Sequence, residues 1–265
     1  MSGADKTVWK IAPGQERFTT FLLGLNSTFA QQGTTIYQAR NELKEITVDH
    51  EVLVVKSFRV PGAVRRLIYS RLRQSKAQRS FNNAVRLQLL DLPTPSPVGF
   101  VEYRRLGQLY QSFYVSHAWP SAQTIRDPLT DQNYPNRREI LEAFGRFAWK
   151  LHQGQVYHRD FSPGNILFSK SDDTASGNQS GTSKWQFCLV DVNRMEFRPL
   201  SLDARMENFK MLWADDEDLN IIISAYATAS GEDASALVEK AISSSNAHKQ
   251  RANRKERIKT LLHLH

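Results

Sequence analysis

The sequence predicts an α+β chain of two lobes, an N-terminal lobe built on a five-stranded antiparallel sheet with helices and a mainly helical C-terminal lobe. Three observations carry this. Segments rich in β-branched and aromatic residues crowd the chain before residue 117. A polar, proline-punctuated stretch, "WPSAQTIRDPLTDQNYPN", comes next and reads as a hinge. Beyond it the apolar residues recur mostly at helical spacing. The lobes are accordingly expected at 1–117 and 118–265.

In chain order, Phe18, Phe21, Leu22, Leu25 and Phe29 share one helical face, and Gly33 ends that helix. "TTIYQARNEL", "KEITV" and "EVLVVKSF" are expected as three strands. Pro61-Gly62 breaks the pattern. "AVRRLIYSRLRQ" then places Val64, Leu67, Ile68 and Leu72 on one helical face, and a second helix is expected from Lys76 to Leu90. "LPTPSP" is a stiff extended connector, because each proline biases its predecessor away from the helix. "VGFVEYRR" and "QSFYVSHAW" complete the five strands.

After the hinge, Ile140, Phe144, Phe147 and Leu151 define a helix with one buried stripe, stopped by Gly154. "SKSDDTASGNQSGTSK" has the composition of a mobile loop. "WQFCLVDV" reads as a continuous apolar strand ending at Asp191. "SLDARMENFKMLW", "DEDLNIIISAYATAS" and a polar tail are expected as helices, with the acids Asp215 to Asp218 favouring a helix N-terminus over a metal site.

Composition narrows the function. The 265 residues give an ordinary soluble balance of apolar and charged groups. No apolar run is long enough to span a bilayer and no signal peptide is recognisable, so a cytoplasmic location is expected. Cys188 is single, which excludes an internal disulfide and a cysteine-built zinc site. The net charge of +8 calls for an acidic partner. From Val52 to Leu90 there is no Asp or Glu among nine basic side chains. The basic residues are not interleaved with aromatics in a nucleic-acid-binding pattern, so no specific nucleic acid is expected.

The chemistry is concentrated in three places. Lys56 lies near the end of an apolar strand, "VVK". "VYHRDFSPGNILF" places Asp160 before a Pro-Gly turn and Asn165 five residues on. Asp191 ends "LVDVN". Pro163-Gly164 forbids a helix between Asp160 and Asn165, so both ends can fold toward one point. His158 reads as packing beneath the loop, and Arg159 as pairing with a carboxylate or backbone group.

A strand lysine, then H-R-D-x-x-x-x-N, then a D-x-x triplet resembles the protein-kinase signature set. With "YQARNELK", "VVKSFRVP", "SKAQRSF", "PTPSPVGFVEYR", "HRDFSPGNILF" and "LVDVNRMEFRP", the chain from Thr35 to Trp213 is similar to the lipopolysaccharide kinases, bacterial enzymes that phosphorylate Kdo or heptose of the inner core. The resemblance implies a protein-kinase-like fold that transfers the γ-phosphoryl of ATP, with Mg2+, to a sugar hydroxyl. Asp160 would be the catalytic base, Asn165 and Asp191 the metal ligands, and Lys56 the phosphate-binding cation. A metabolite or protein phosphotransferase and a nucleotide-binding pseudokinase are the alternatives.

The sequence departs from the kinase pattern at several points. No G-x-G-x-x-G separates the first strands, so Ala39, Arg40 and Asn41 would cover the phosphates, with Arg40 and Asn41 as nucleotide-binding candidates. The helical segment after Lys56 has no glutamate, leaving Glu42 or the nucleotide itself as its partner. The triplet Asp191-Val192-Asn193 lacks a glycine, which Asn replaces as a residue tolerant of left-handed backbone. About ten residues separate Asp191 from the next helix, too few for a peptide platform. An anionic sugar or glycolipid acceptor is therefore expected, and the arginines after Val52 would give a positive surface suited to peripheral contact with the inner face of the inner membrane.

Overall fold

The structure, a computed structural model, describes residues 5–59, 74–119, 122–170 and 184–263. The helix expected around Val64 to Leu72 and most of the serine-rich loop lie outside the described residues. The chain forms two compact units. One takes the described residues up to 119 together with Asp191–Arg194; the other takes those from 122 to Val190 and from Met195 onward.

Among the described residues the sheet of the first unit has six strands, not five. In chain order they are β1 (Lys6–Ile11), β2 (Thr34–Gln38), β3 (Asn41–Val48), β4 (Glu51–Phe58), β5 (Pro97–Arg105) and β6 (Gln108–His117), arranged β1-β5-β6-β4-β3-β2 with antiparallel pairing throughout. The additional strand, β1, lies along β5 from Lys6 opposite Arg104 to Ile11 opposite Gly99. "TTIYQARNEL" breaks at Ala39-Arg40, so Asn41, Glu42 and Leu43 open the second strand of that hairpin instead of closing the first. Asp49 and His50, both at positive φ, make the two-residue turn into β4. Gly33 (φ +70°) meets the backbone of β3 so closely that a Cβ would lie 2.2 Å from the carbonyl oxygen of Glu45.

Side chains alternate across the sheet, and each face takes a helix. On one face helix α1 (Thr19–Thr28), with Phe18 and Phe29 at its ends, buries Leu22 and Leu25 against Leu53, Val55, Val101, Phe113 and Val115. On the other, helix α2 (Lys76–Leu89) buries Ala77 and Phe81 against Phe58 and Phe100. Ser75 caps α2 by accepting from the Gln78 amide at 3.0 Å. Lys56 and Phe58 share a strand parity, so Lys56 projects toward the α2 face.

The second unit is mainly helical. It opens with the short strand β7 (Gln123–Thr124) and helix α3 (Arg126–Thr130), inside the stretch that the sequence marks as a hinge. Helix α4 (Arg137–Gln153) buries Ile140, Phe144, Phe147 and Leu151, as their spacing predicts. Next come β8 (Val156–His158), β9 (Ile166–Lys170), β10 (Trp185–Leu189) and β11 (Met195–Phe197), in a three-stranded sheet β10-β9-β7 and a pair β11-β8. The strand predicted to reach Asp191 stops at Leu189. Helix α5 (Leu202–Asn208) runs into a 3-10 turn, and α6 (Asp216–Ser230) and α7 (Ala234–His263) complete the unit. Helices α4 and α6 meet at Gly145, where a Cβ would sit 2.1 Å from the carbonyl oxygen of Ile222. The acids at the start of α6 do serve the helix terminus: Asp215 caps it by accepting from the Asp218 amide, and Asp218 is buried against Arg137. Cys188 is buried in β10, and burial raises its thiol pKa.

Candidate active site

Two groups of predicted residues form, one in each unit. In the second unit, the segment His158–Asn165 leaves β8 and turns through a 3-10 turn at Pro163–Asn165. Phe161 anchors it, fully buried against Phe144 (5.6 Å between ring centroids) and Phe209 (6.2 Å).

His158 is buried, and its ring has two fixed jobs. Its Nδ1 accepts from the Asp160 amide at 3.1 Å. The proton must then be on Nε2, which donates to the carbonyl of Val190 at 3.1 Å. Asn165 repeats the pattern: its side-chain amide donates to the carbonyl of Asp160 at 2.9 Å, and its own carbonyl accepts from the Val190 amide at 3.0 Å. Asp160, Asn165 and Val190 are thus locked together, and Asp191 is the next residue after Val190. Arg159 does find a carboxylate, pairing with Glu196, whose pKa is lowered by Arg198 and by Arg159.

In the first unit, Lys56 pairs with Asp191 at 2.6 Å. Glu42 is not its partner. The register sets Leu43 opposite Lys56 and Glu42 opposite Ser57, so Glu42 projects from the other face, 3.9 Å from Lys44. Asp191 has φ +53°, a left-handed conformation; Asn193 donates to its carboxylate with the side-chain amide. Helix α2 supplies no acid here. Instead Asn83 donates to the carbonyl of Val192 at 2.7 Å and so ties the helix to the triplet.

Lys76, at the start of α2, joins this cluster. Its ammonium lies 6.0 Å from the centroid of the Phe58 ring, and that of Lys56 lies 5.4 Å from the same centroid. Burial, and then the charges of Arg40, Lys56 and Arg194, lower the pKa of Lys76, with Asp191 opposing. Arg40 sits in the turn between β2 and β3. Asn41, which opens β3, has a buried side-chain oxygen with no hydrogen bond.

Lys76, Asn83 and Asn193 were not foreseen as site residues, and neither was Arg126. A Cβ on Gly164 would stand 2.8 Å from a guanidinium nitrogen of Arg126, so this cation lies directly over the loop's glycine. The basic patterning from Lys56 to Arg86 gave a signal for Lys76; nothing local signalled Asn83 or Arg126.

Taken singly, Asp191 in the first unit offers a carboxylate, and Asn165 in the second, whose side-chain nitrogen is engaged by the carbonyl of Asp160, offers a side-chain amide oxygen; each is a hard oxygen donor of the kind Mg2+ takes. Among the described residues no three His, Cys, Asp or Glu side chains form a metal cluster, and no helix is long and apolar enough to cross a membrane.

Comparison with known proteins bears on the family and the fold. The profile of the Lipopolysaccharide kinase (Kdo/WaaP) family matches residues 28–226. The fold is similar to that of WaaP, solved in complex with acyl carrier protein, with a TM-score of 0.62 at 15% identity over 93% of this chain and 98% of that one. A weaker similarity, TM-score 0.47 at 14% identity over 88% of this chain and 77% of the other, is to the Rio2 kinase-ADP/Mg2+-phosphoaspartate complex from Chaetomium thermophilum. No curated protein matches the sequence.

Proposed function

The chain belongs to the lipopolysaccharide kinase (Kdo/WaaP) family and is a kinase, and we propose that it transfers the γ-phosphoryl of ATP to a Kdo or heptose hydroxyl of a lipopolysaccharide core precursor. The supporting observation is the locked loop of His158 to Asn165, bonded to Val190 immediately before the Lys56-bound Asp191.

In this reading Asp160 orients the acceptor hydroxyl and takes its proton. Its main chain is fixed on both sides, by His158 at the amide and Asn165 at the carbonyl, so the backbone that carries the carboxylate is in place before substrate arrives. Asn165 and Asp191 would hold Mg2+, which supplies charge neutralisation at the nucleotide phosphates. Lys56, with Arg40 and Asn41 from the β2–β3 turn, binds those phosphates. Arg126, over Gly164, holds an anionic group of the acceptor near Asp160.

A sugar acceptor is favoured by the brevity of the chain after Asp191. Between it and α5 lie only a 3-10 turn, the three-residue β11 and a short connector, which gives no platform for a peptide. We assign the protein to the cytoplasm, with peripheral contact at the inner face of the inner membrane, where an anionic glycolipid substrate would lie. The two units serve as an N-terminal nucleotide-covering lobe and a C-terminal catalytic lobe.

The test is direct. The protein incubated with ATP, Mg2+ and a lipid-linked Kdo acceptor should add one phosphate to the sugar, read by mass spectrometry of the glycolipid. Transfer to protein substrates with none to any glycan acceptor would overturn the assignment.

A further inference from the structure

Beneath the loop of the second unit runs a chain of buried and half-buried polar groups that the proposed chemistry does not use. Arg205 on α5 pairs with Glu232 at 2.7 Å, and its guanidinium reaches the hydroxyl of Tyr226 on α6 at 3.2 Å. That hydroxyl is 3.2 Å from Nδ1 of His152 on α4. Nε2 of His152 is 3.2 Å from the side-chain oxygen of Asn208 at the end of α5, and the Asn208 amide donates to the main-chain carbonyl of His158 at 2.8 Å. His152, Asn208 and Tyr226 are all buried.

The direction of every bond is fixed by the two ends. The carbonyl of His158 can only accept, so Asn208 presents its NH2 there and its oxygen to His152. That oxygen can only accept, so Nε2 of His152 carries the proton. In the neutral ring, the form that burial favours, Nδ1 is then the acceptor and the Tyr226 hydroxyl donates to it. The hydroxyl oxygen in turn accepts from Arg205, which cannot do otherwise. Arg205, Tyr226, His152 and Asn208, drawn from three helices, therefore all donate one way, from the Arg205–Glu232 ion pair to the main chain two residues before Asp160. Bonds aligned in this way polarise one another.

We propose that His152 is a positioning residue for the reaction: as the neutral Nε2–H tautomer it links Tyr226 to Asn208 and so holds the carbonyl of His158, and with it the Asp160 loop, in place. This rests on the reading of Asp160 as the catalytic base. The surroundings suit the neutral form. Burial lowers the pKa of His152 to about 4, with Asn208 opposing and the Arg205 charge adding to the shift. Phe209 and Tyr226 pack edge-on against the ring.

Four variants test it: Tyr226→Phe, Asn208→Ala, His152→Leu and His152→Gln. The first three each remove one link. They should lower kcat per folded molecule roughly tenfold or more, since small misplacements near the chemistry are costly, while KM for ATP stays within about twofold. His152→Gln offers an amide donor and a carbonyl acceptor at similar positions and should recover most of the loss seen in His152→Leu.

Amide hydrogen exchange gives a readout that needs no acceptor. In Tyr226→Phe and Asn208→Ala, residues 158–165 should exchange at least about tenfold faster while the amides of α4 and α6 hold their rates. Nitrogen-15 NMR of the wild-type protein should show His152 as the Nε2–H tautomer. A uniform rise in exchange with kcat unchanged, or an Nδ1–H tautomer at His152, would overturn the proposal. Loop-selective exchange in a protein that phosphorylates no sugar would instead retain the positioning network and reject the acceptor assignment.

Discussion

Around Lys56 the side chains brought together are mostly of one sign, whereas around His158 they are neutral and joined by directional bonds. Lys56, Arg40 and Arg194 act on Lys76 in the first unit, with Asp191 as the carboxylate among them. His158, Asn165, Asn208 and His152 in the second unit fix donors and acceptors to a small set of main-chain atoms. Like charges gathered on partly buried side chains repel until an anion joins them, so the first region is arranged to gain from a ligand. A satisfied hydrogen-bond network gains nothing from a ligand; it holds a geometry. On the proposed function the two regions divide the work, one binding phosphate and the other placing the reacting carboxylate.

The largest expected effect tests the loop's half of this division. Asp160→Asn preserves shape and the main-chain bonds on both sides, so it should remove proton acceptance alone. The turnover number should fall about 10³-fold, within the range for loss of a general base, with nucleotide affinity nearly unchanged. If ATP binding measured by calorimetry collapses together with turnover, the division is wrong.

Next in size is the response to acid, which belongs to the loop's support. His152 has an ordinary pKa of 6.5 when exposed and about 4 in the fold. As pH falls below 6.5 the unfolded chain takes up this proton and the folded one does not, so stability present above that pH is lost progressively toward pH 4. The loss is roughly 3 kcal/mol, by the worth of each pKa unit. Urea unfolding at pH 7 and pH 4.5 should show it, and His152→Gln should remove this part of the pH dependence. An identical pH dependence in wild type and variant would mean that His152 titrates normally and that its site is wetter than described.

The smallest effect sharpens the other half. Lys76→Gln should weaken ATP binding about fivefold, the scale of one partly exposed charge, and leave turnover at saturating nucleotide intact. The difference between wild type and variant should shrink as salt is raised. A drop in turnover with affinity unchanged would show that Lys76 does not join Lys56, Arg40 and Asn41 in binding phosphate.

How much of this was legible in the sequence depended on whether a signal was local. H-R-D-x-x-x-x-N lies within one short segment, and its Pro-Gly turn implies its own shape; the buried stripe of α4 is likewise set by its own spacing. Strand β1 was missed because, as an edge strand, it buries little: "KTVWKI" leaves four of its six residues exposed. Glu42 was considered for Lys56 because the helical segment after Lys56 has no glutamate, but the one-residue offset in register turns it to the opposite face. His152, Asn208 and Tyr226 gave no signal, because a network among three helices has no spacing in the chain. The start of α2 at Lys76 was read, but the reach of its Asn83 to Val192 was not.

Because Asp191–Arg194 belongs with the first unit, that unit is discontinuous. A fragment cut after residue 119 would contain all six strands and yet lack both the carboxylate that neutralises Lys56 and the carbonyl that receives the Asn83 amide. During synthesis on the ribosome the sheet can assemble as soon as β6 emerges, but it waits for some seventy further residues before its last piece is delivered. Expression of the two halves as separate polypeptides should therefore yield an N-terminal half that is completed only by complementation with the other.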